Sequence, residues 1–510
     1  MRAATDSAAR DRRRAATRAA PFAVPFAPMM PHREAAAGAP AARLDLDLAF
    51  GRYTLAVPRD ARARLARGWF ALCVAALAAS GILAVLLVLS RTPGLARHLP
   101  VANFFQVALV AHVDLSVLVW FLSFAAGLWS LNSTLRALPI AWAGLGLAAT
   151  GALVIAVSPF AGGTPIMTNY VPVIESPAFL LGLVLFAAGI VLVVGRGLFA
   201  SPLVGMRLDG AGALRFGLNG AVVAAAVAAF AFAWSFAVVP AGLDGKAYYE
   251  LLFWGGGHVL QFAYTLLMLV AWLLLADAIG MRVPLSPRVV ALLFGIGLVA
   301  VFATPLIYYA YSVTSVEHHR LQTWLMRFGG GLAIAPVALA VIYALVRRGV
   351  ASPRPLAAPA RPLFAALVAS LVLFGVGGII GFSIQGSNVK IPAHYHGSIV
   401  GVTIALMGLA YWLLPRLGYA APPPRLATWQ AYLYGGGQLL HIAGLVWSGG
   451  YGVQRKVADG AEATRSLEQV AGMGLMGLGG FIAIVGGMLF VAAVLIAVIR
   501  GSRATAPGST

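Results

Sequence analysis

Apolar residues run through this chain in long, nearly unbroken blocks, not at the period-2 or period-3.6 spacing of half-buried strands and helices. Windows of about 20 residues, enough to cross a hydrocarbon core of roughly 30 Å, recur about twelve times. They cover 69–90, 102–130, 137–157, 177–195, 216–239, 249–278, 289–315, 322–346, 362–384, 393–414, 427–449 and 470–499. Lipid offers no hydrogen-bond partner to a backbone, so blocks at this density predict an all-α membrane bundle. Residues 1–68 break the pattern: Ala-, Arg- and Pro-rich, with no span of their own, they are expected to form a disordered basic tail. No short apolar block follows those arginines, so a cleavable signal is not expected. Residues 69–500 then form one membrane domain, and 501–510 a second tail.

Composition agrees. The chain is 61% hydrophobic and 10% charged, whereas a soluble domain carries about 25% charged residues. The formal charge of +20 raises the question of nucleic acid, but its distribution answers it. Arg196, Arg207 and Arg215, then Arg282 and Arg288, Arg347, Arg348, Arg354 and Arg361, Arg416 and Arg425, and Arg500 and Arg503 fall in alternate loops. That asymmetry predicts both termini in the cytoplasm, in a bacterial-type inner membrane, with the lipid bilayer and not nucleic acid as partner. The single cysteine, Cys73, excludes a disulfide framework and a cysteine metal site.

Candidate chemistry lies in the histidines. Of nine, six sit in or at the ends of four spans: His112, His258, His318, His319, His394 and His396. Ionisable side chains inside a membrane are costly and mark function. The second, sixth and tenth windows carry theirs in their first halves, and the seventh, running the other way, carries His318/His319 at its far end, so all six share one depth. His441, in the eleventh window and without an evident partner, is read as structural, and His32 and His98 as solvated.

Imidazole is a common metal ligand. Adjacent His318 and His319 point about 100° apart on a helix, so they meet one ion only at a helix end or distorted turn, where a third histidine would complete a trigonal site suited to copper or a non-haem metal. His394 and His396 point about 200° apart. They reach not one ion but two flat cofactors, one on each side of the tenth helix.

The stretches "FFQVALVAHVDLSVLVWF", "YYELLFWGGGHVLQF", "SVEHHRLQTW", "IPAHYHGSIVG" and "QLLHIAGLVWSGGYGVQRK" resemble subunit I of the haem-copper oxidase superfamily, the cytochrome oxidases and their nitric oxide reductase relatives. The resemblance implies two haems, one low-spin and one high-spin, and a second metal, copper or non-haem iron. It implies that His112 and His396 are axial ligands of the low-spin haem, that His394 is proximal to the high-spin haem, and that His258, His318 and His319 bind the second metal. It places Arg455 and Lys456 where the family holds haem propionates, usually with two arginines. It also implies an electron donor, either a cytochrome c or a copper-bearing subunit, and dioxygen or NO as substrate.

Two departures concern the reaction. The family's main oxidase branch has a tyrosine four residues after the sixth-span histidine, where this chain has Phe262. Tyr311, seven residues before His318 and on the same face if the helix is continuous, is the expected substitute. Thr304, Tyr308, Tyr311 and Ser315 would then form a polar stripe, read either as a proton path or as an interhelical seam. Nitric oxide reductases need no such tyrosine, and those with iron use nearby glutamates; Glu250, Glu317, Gln261 and Asp114 are the polar candidates here. A haem-free proton-coupled transporter is the reading from another class.

Overall fold

The computed structural model describes residues 51–90, 103–204, 208–351, 355–384, 389–450 and 466–504. Twelve long helices run through it: α1 (Ala61–Ser90), α2 (Phe104–Leu131), α3 (Leu138–Val157), α4 (Pro177–Ala200), α5 (Gly210–Val238), α6 (Gly245–Ala278), α7 (Pro287–Ala310), α8 (Val316–Gly349), α9 (Ala360–Phe382), α10 (Lys390–Arg416), α11 (Pro424–Gly450) and α12 (Leu467–Ala504). Eleven are long and apolar enough to cross a membrane. The other, α11, is 27 residues, about 40 Å. Gln430, Gln438 and His441 are polar side chains carried within it.

Polar side chains start the helices where the chain turns back. Ser176 accepts from the Phe179 N–H, Asp209 from Gly212, Ser286 from Val289 and Ser315 from His318, each satisfying an N–H that the first turn leaves orphaned. Inside the bundle, small residues bring backbones together. On the α11–α12 seam, a Cβ at Gly437 would lie 2.5 Å from the Ala483 backbone, and one at Gly444 2.3 Å from that of Met476. Lipid gives helices no hydrophobic reason to associate, so such close packing supplies the attraction. The α2, α6 and α10 helices are the most enclosed, and all three carry candidate histidines.

Two expectations are corrected. The basic tail does not extend to residue 68: α1 begins at Ala61, and before it Tyr53 is fully buried, its hydroxyl donating to Leu285 O at 2.7 Å and its N–H to Asp277 Oδ1 at 3.2 Å. Next, the seventh window ends early. Tyr311 leaves the helix in an extended conformation (φ −136°, ψ 135°), and Ser315 caps a new helix. His318 and His319 therefore lie on the first turn of α8, a helix end as their adjacency required. Within this all-α bundle a short two-stranded antiparallel hairpin, β1 (Thr164–Ile166) and β2 (Val173–Glu175), joins α3 to α4.

Candidate functional site

His112 lies in the last turn of the first α-helical stretch of α2, which ends at Val113, and a π-helical turn, Asp114–Val119, follows. Such turns insert a residue into a helix and recur at functional sites. The Nδ1 of His112 lies 2.9 Å from the carbonyl of Ser80 on α1. A carbonyl only accepts, so Nδ1 carries the proton and Nε2 keeps its electron pair. His396 on α10 repeats the arrangement, with Nδ1 3.1 Å from Gln438 Oε1 on α11. Its ring lies 4.5 Å from that of His441, whose own Nδ1 donates to Met476 O at 2.9 Å. His441 therefore has a partner, contrary to the expectation from sequence.

Two residues earlier, His394 donates from Nδ1 to Gly377 O on α9 at 2.7 Å. A Cβ at Gly381 would lie 2.8 Å from the same nitrogen, so this glycine makes room for the ring. His394 and His396 thus address different helices, α9 and α11 respectively.

The remaining three histidines gather around Trp254 of α6. Its ring lies 4.8 Å from that of His258 and 4.8 Å from that of His319, and its Nε1 donates to His319 O at 3.3 Å. The His318 ring lies 6.2 Å from that of His319 and meets Tyr308 edge-on at 4.6 Å. His319 Nδ1 donates to Ser315 O at 3.2 Å. Among the described residues His318 Nδ1 is buried without a hydrogen-bond partner, and burying such an atom is costly. His258 has both nitrogens engaged: Nδ1 2.7 Å from Trp254 O, and Nε2 2.8 Å from the hydroxyl of Tyr170. Tyr170, from the hairpin loop, is the contact that sequence reasoning missed.

Other candidates separate. Tyr311 is 39% exposed and off the helix, so the shared-face argument with His318 fails and the stripe splits: Thr304 and Tyr308 are buried on α7, while Tyr311 and Ser315 belong to the turn. Phe262 is buried next to Gly329 of α8. The Glu250 carboxylate accepts from the backbone N–H of Asn169 at 3.2 Å and from its side-chain amide, and Glu317 is exposed. Asp114 is buried, and among the described residues neither of its oxygens has a hydrogen-bond partner. Nor has Gln261 Oε1. Arg455 and Lys456 lie outside the described residues, as do His32 and His98.

The donor chemistry fits the groups that the resemblance implies. His112, His394 and His396 each hold a proton on Nδ1 and present Nε2, the arrangement in which an outer partner fixes a ligating imidazole. His258, His318 and His319 form an imidazole-only group with an orphaned nitrogen, although among the described residues no three His, Cys, Asp or Glu side chains converge at metal-binding distance.

A protein of Rickettsia prowazekii (strain Madrid E) is 30% identical over 492 residues, covering 84% of this chain and 94% of its own. Another, from Aquifex aeolicus (strain VF5), is 30% identical over 366 residues, covering 69% and 85%. The fold is similar to that of a haem-copper terminal oxidase dimer solved by electron cryo-microscopy, with a TM-score of 0.66 and 17% identity, covering 89% of this chain and 86% of that one. Residues 64–489 match the family described as cytochrome c and quinol oxidase polypeptide I. This chain belongs to that family, and so is a multi-pass membrane oxidoreductase of the haem-copper superfamily.

Proposed function

We propose that this chain is the catalytic subunit of a respiratory terminal oxidase that reduces dioxygen to water. Two haems and a copper ion would supply the electron relay and the bond-breaking chemistry. His112 and His396 would hold the low-spin haem, His394 the high-spin haem, and His258, His318 and His319 the copper. The basic pair Arg455 and Lys456 would bind haem propionates.

The observation that carries this reading is the imidazole-only character of the group around Trp254. Imidazole suits copper, and the acids that an iron-type nitric oxide reductase would draw on are committed elsewhere: Glu250 to Asn169, and Glu317 to the surface. Electrons from a cytochrome c or a copper-bearing subunit would enter at the His112/His396 end and leave at the His258 group. Between His394 and His396 stands one residue, Tyr395, so α10 holds the two ends close. Buried unpaired charge is expensive, so each electron delivered there calls for a proton. The arginine asymmetry supports a bacterial-type inner membrane with both termini in the cytoplasm.

A second reading is nitric oxide reduction, favoured by Phe262 in place of a tyrosine, since joining two NO molecules needs two electrons instead of four. Turnover of the purified complex with reduced donor, followed by gas electrodes, separates the two. Rapid dioxygen loss with little NO loss is expected; the reverse would make this a nitric oxide reductase.

A further inference from the structure

Tyr170 reaches His258 across 88 residues of sequence, and three features of the chain put it there. The short β1–β2 hairpin turns the chain back over the end of α6. Asn169 ties that loop to Glu250, two turns before His258, through both its backbone N–H and its side-chain amide. Gly257 leaves the notch that the phenol ring fills: a Cβ there would lie 2.2 Å from Tyr170 Cγ. The hydroxyl then meets Nε2 at 2.8 Å, with ring centroids 4.7 Å apart.

We infer that Tyr170 is a positioning residue for the second-metal site, holding the His258 ring in place from the hairpin loop, and that the Asn169–Glu250 bridge is what delivers it. The inference rests on the proposed role of His258 as a ligand. Its sign follows from the two bonds that the ring makes. The Trp254 carbonyl, one turn back on α6, also accepts the helical N–H, whereas among the described residues the Tyr170 hydroxyl has this one partner. A metal at the ring would therefore displace the carbonyl bond at lower cost and leave the tyrosine bond in place, because stranding a half-buried hydroxyl that has this one partner is the dearer exchange. Partners of this kind change metal affinity by about 10–100-fold.

The test is metal retention by the purified haem-loaded complex, measured as metal in excess of haem iron across a chelator series, with the visible spectrum recorded on the same samples. Tyr170→Phe should lose its second metal at about tenfold lower chelator, with both haem signals unchanged. Glu250→Gln, which loosens the loop and leaves the phenol in place, should shift in the same direction by less. A merely structural role would disturb the haem spectrum along with the metal. An unchanged half-loss point in Tyr170→Phe overturns the inference, and so does a raised one, which would mean that the phenol competes with the metal. If Tyr170→Phe fails to assemble, the same criterion applies to Glu250→Gln. His258→Ala serves as the control: full metal retention there would defeat the ligand assignment itself, a different failure from an unshifted Tyr170→Phe.

Discussion

His396 donates from Nδ1 to Gln438 Oε1 at 3.1 Å, so the imidazole carried by α10 is oriented by an amide from α11. His441, one turn further along α11, lies against the same ring. The partner on Nδ1 makes an imidazole more basic at Nε2 and so a better donor to an oxidised metal. Gln438→Leu should therefore raise the midpoint potential of the low-spin haem proposed at His396 and weaken its retention by about tenfold, while the signal of the haem proposed at His394 stays. A redox titration following the two haem bands checks this; a potential that does not move would mean that Gln438 only fills space.

Such pairs mark where sequence and fold part company. A histidine in a block of leucine and valine stands out, so His112, His258 and His394/His396 are legible from sequence alone. His441 stands out equally, but its partner comes from another helix and no spacing rule links residues 396 and 441. Tyr311 departs from expectation for a local reason. The run "YSVTS" is a turn in which Ser315 caps α8, and a serine three residues ahead of the His318 N–H it accepts from is a helix-start signal carried by the sequence itself. Tyr170 leaves no such signal: it is one aromatic residue in a polar loop, and only the three-dimensional path of the hairpin brings it to His258.

The glycine run 255–257 carries the next prediction. Each position receives a different aromatic ring: Tyr308 at Gly255, Phe232 at Gly256 and Tyr170 at Gly257, with a Cβ falling 2.2–2.3 Å from the nearest ring atom or hydroxyl in every case. The run thus fits α6 to side chains, not to a neighbouring backbone as on the α11–α12 seam. Gly257→Ala should push the hairpin loop away, costing about 1–3 kcal/mol, and should expose the β1–β2 segment to protease while the far end of the bundle stays resistant. Gly256→Ala should destabilise by a similar amount and leave the loop protected, since Phe232 belongs to α5. Limited proteolysis of the two variants side by side distinguishes them.

Arg196 is buried at the end of α4, yet its guanidinium meets only neutral oxygens. Nε donates to Arg136 O at 2.9 Å, Nη2 to Thr134 O at 2.7 Å, and both terminal nitrogens reach Ser133 Oγ at 3.3 Å. The planar fork fastens the α2–α3 connection to α4, a task that a single ammonium performs poorly. Arg196→Met should strand two carbonyls and lower stability by about 3 kcal/mol, and Arg196→Lys should recover only part of it. Thermal unfolding in detergent, read through intrinsic fluorescence, gives both values; full rescue by lysine would show that charge alone suffices.

Asp60 opens α1 and belongs to the same end of the molecule. Its carboxylate accepts from the Arg62 N–H at 2.9 Å, from Arg62 Nε at 3.0 Å and from Nη2 at 2.7 Å, while Arg62 Nη1 donates to the Ser133 carbonyl. The Arg62 side-chain hydrogen bond, then its backbone N–H, lowers the Asp60 pKa to about 2. A folded value below the unfolded one, about 3.9, means that the carboxylate stabilises the fold fully above that value, and that the contribution is lost as pH falls through about 2. Asparagine at this position would keep the cap, since Asn and Asp cap equally well, and would lose only the charge. The thermal midpoints of wild type and Asp60→Asn should therefore differ by a constant amount at neutral pH and converge between about pH 4 and pH 2. Asp60→Ala removes the cap as well and should stay about 1 kcal/mol less stable even where the other two have met. A gap between wild type and Asp60→Asn that is as wide at about pH 2 as at neutral pH would mean that the charge is not what makes Asp60 hold Arg62 against the α2–α3 connection.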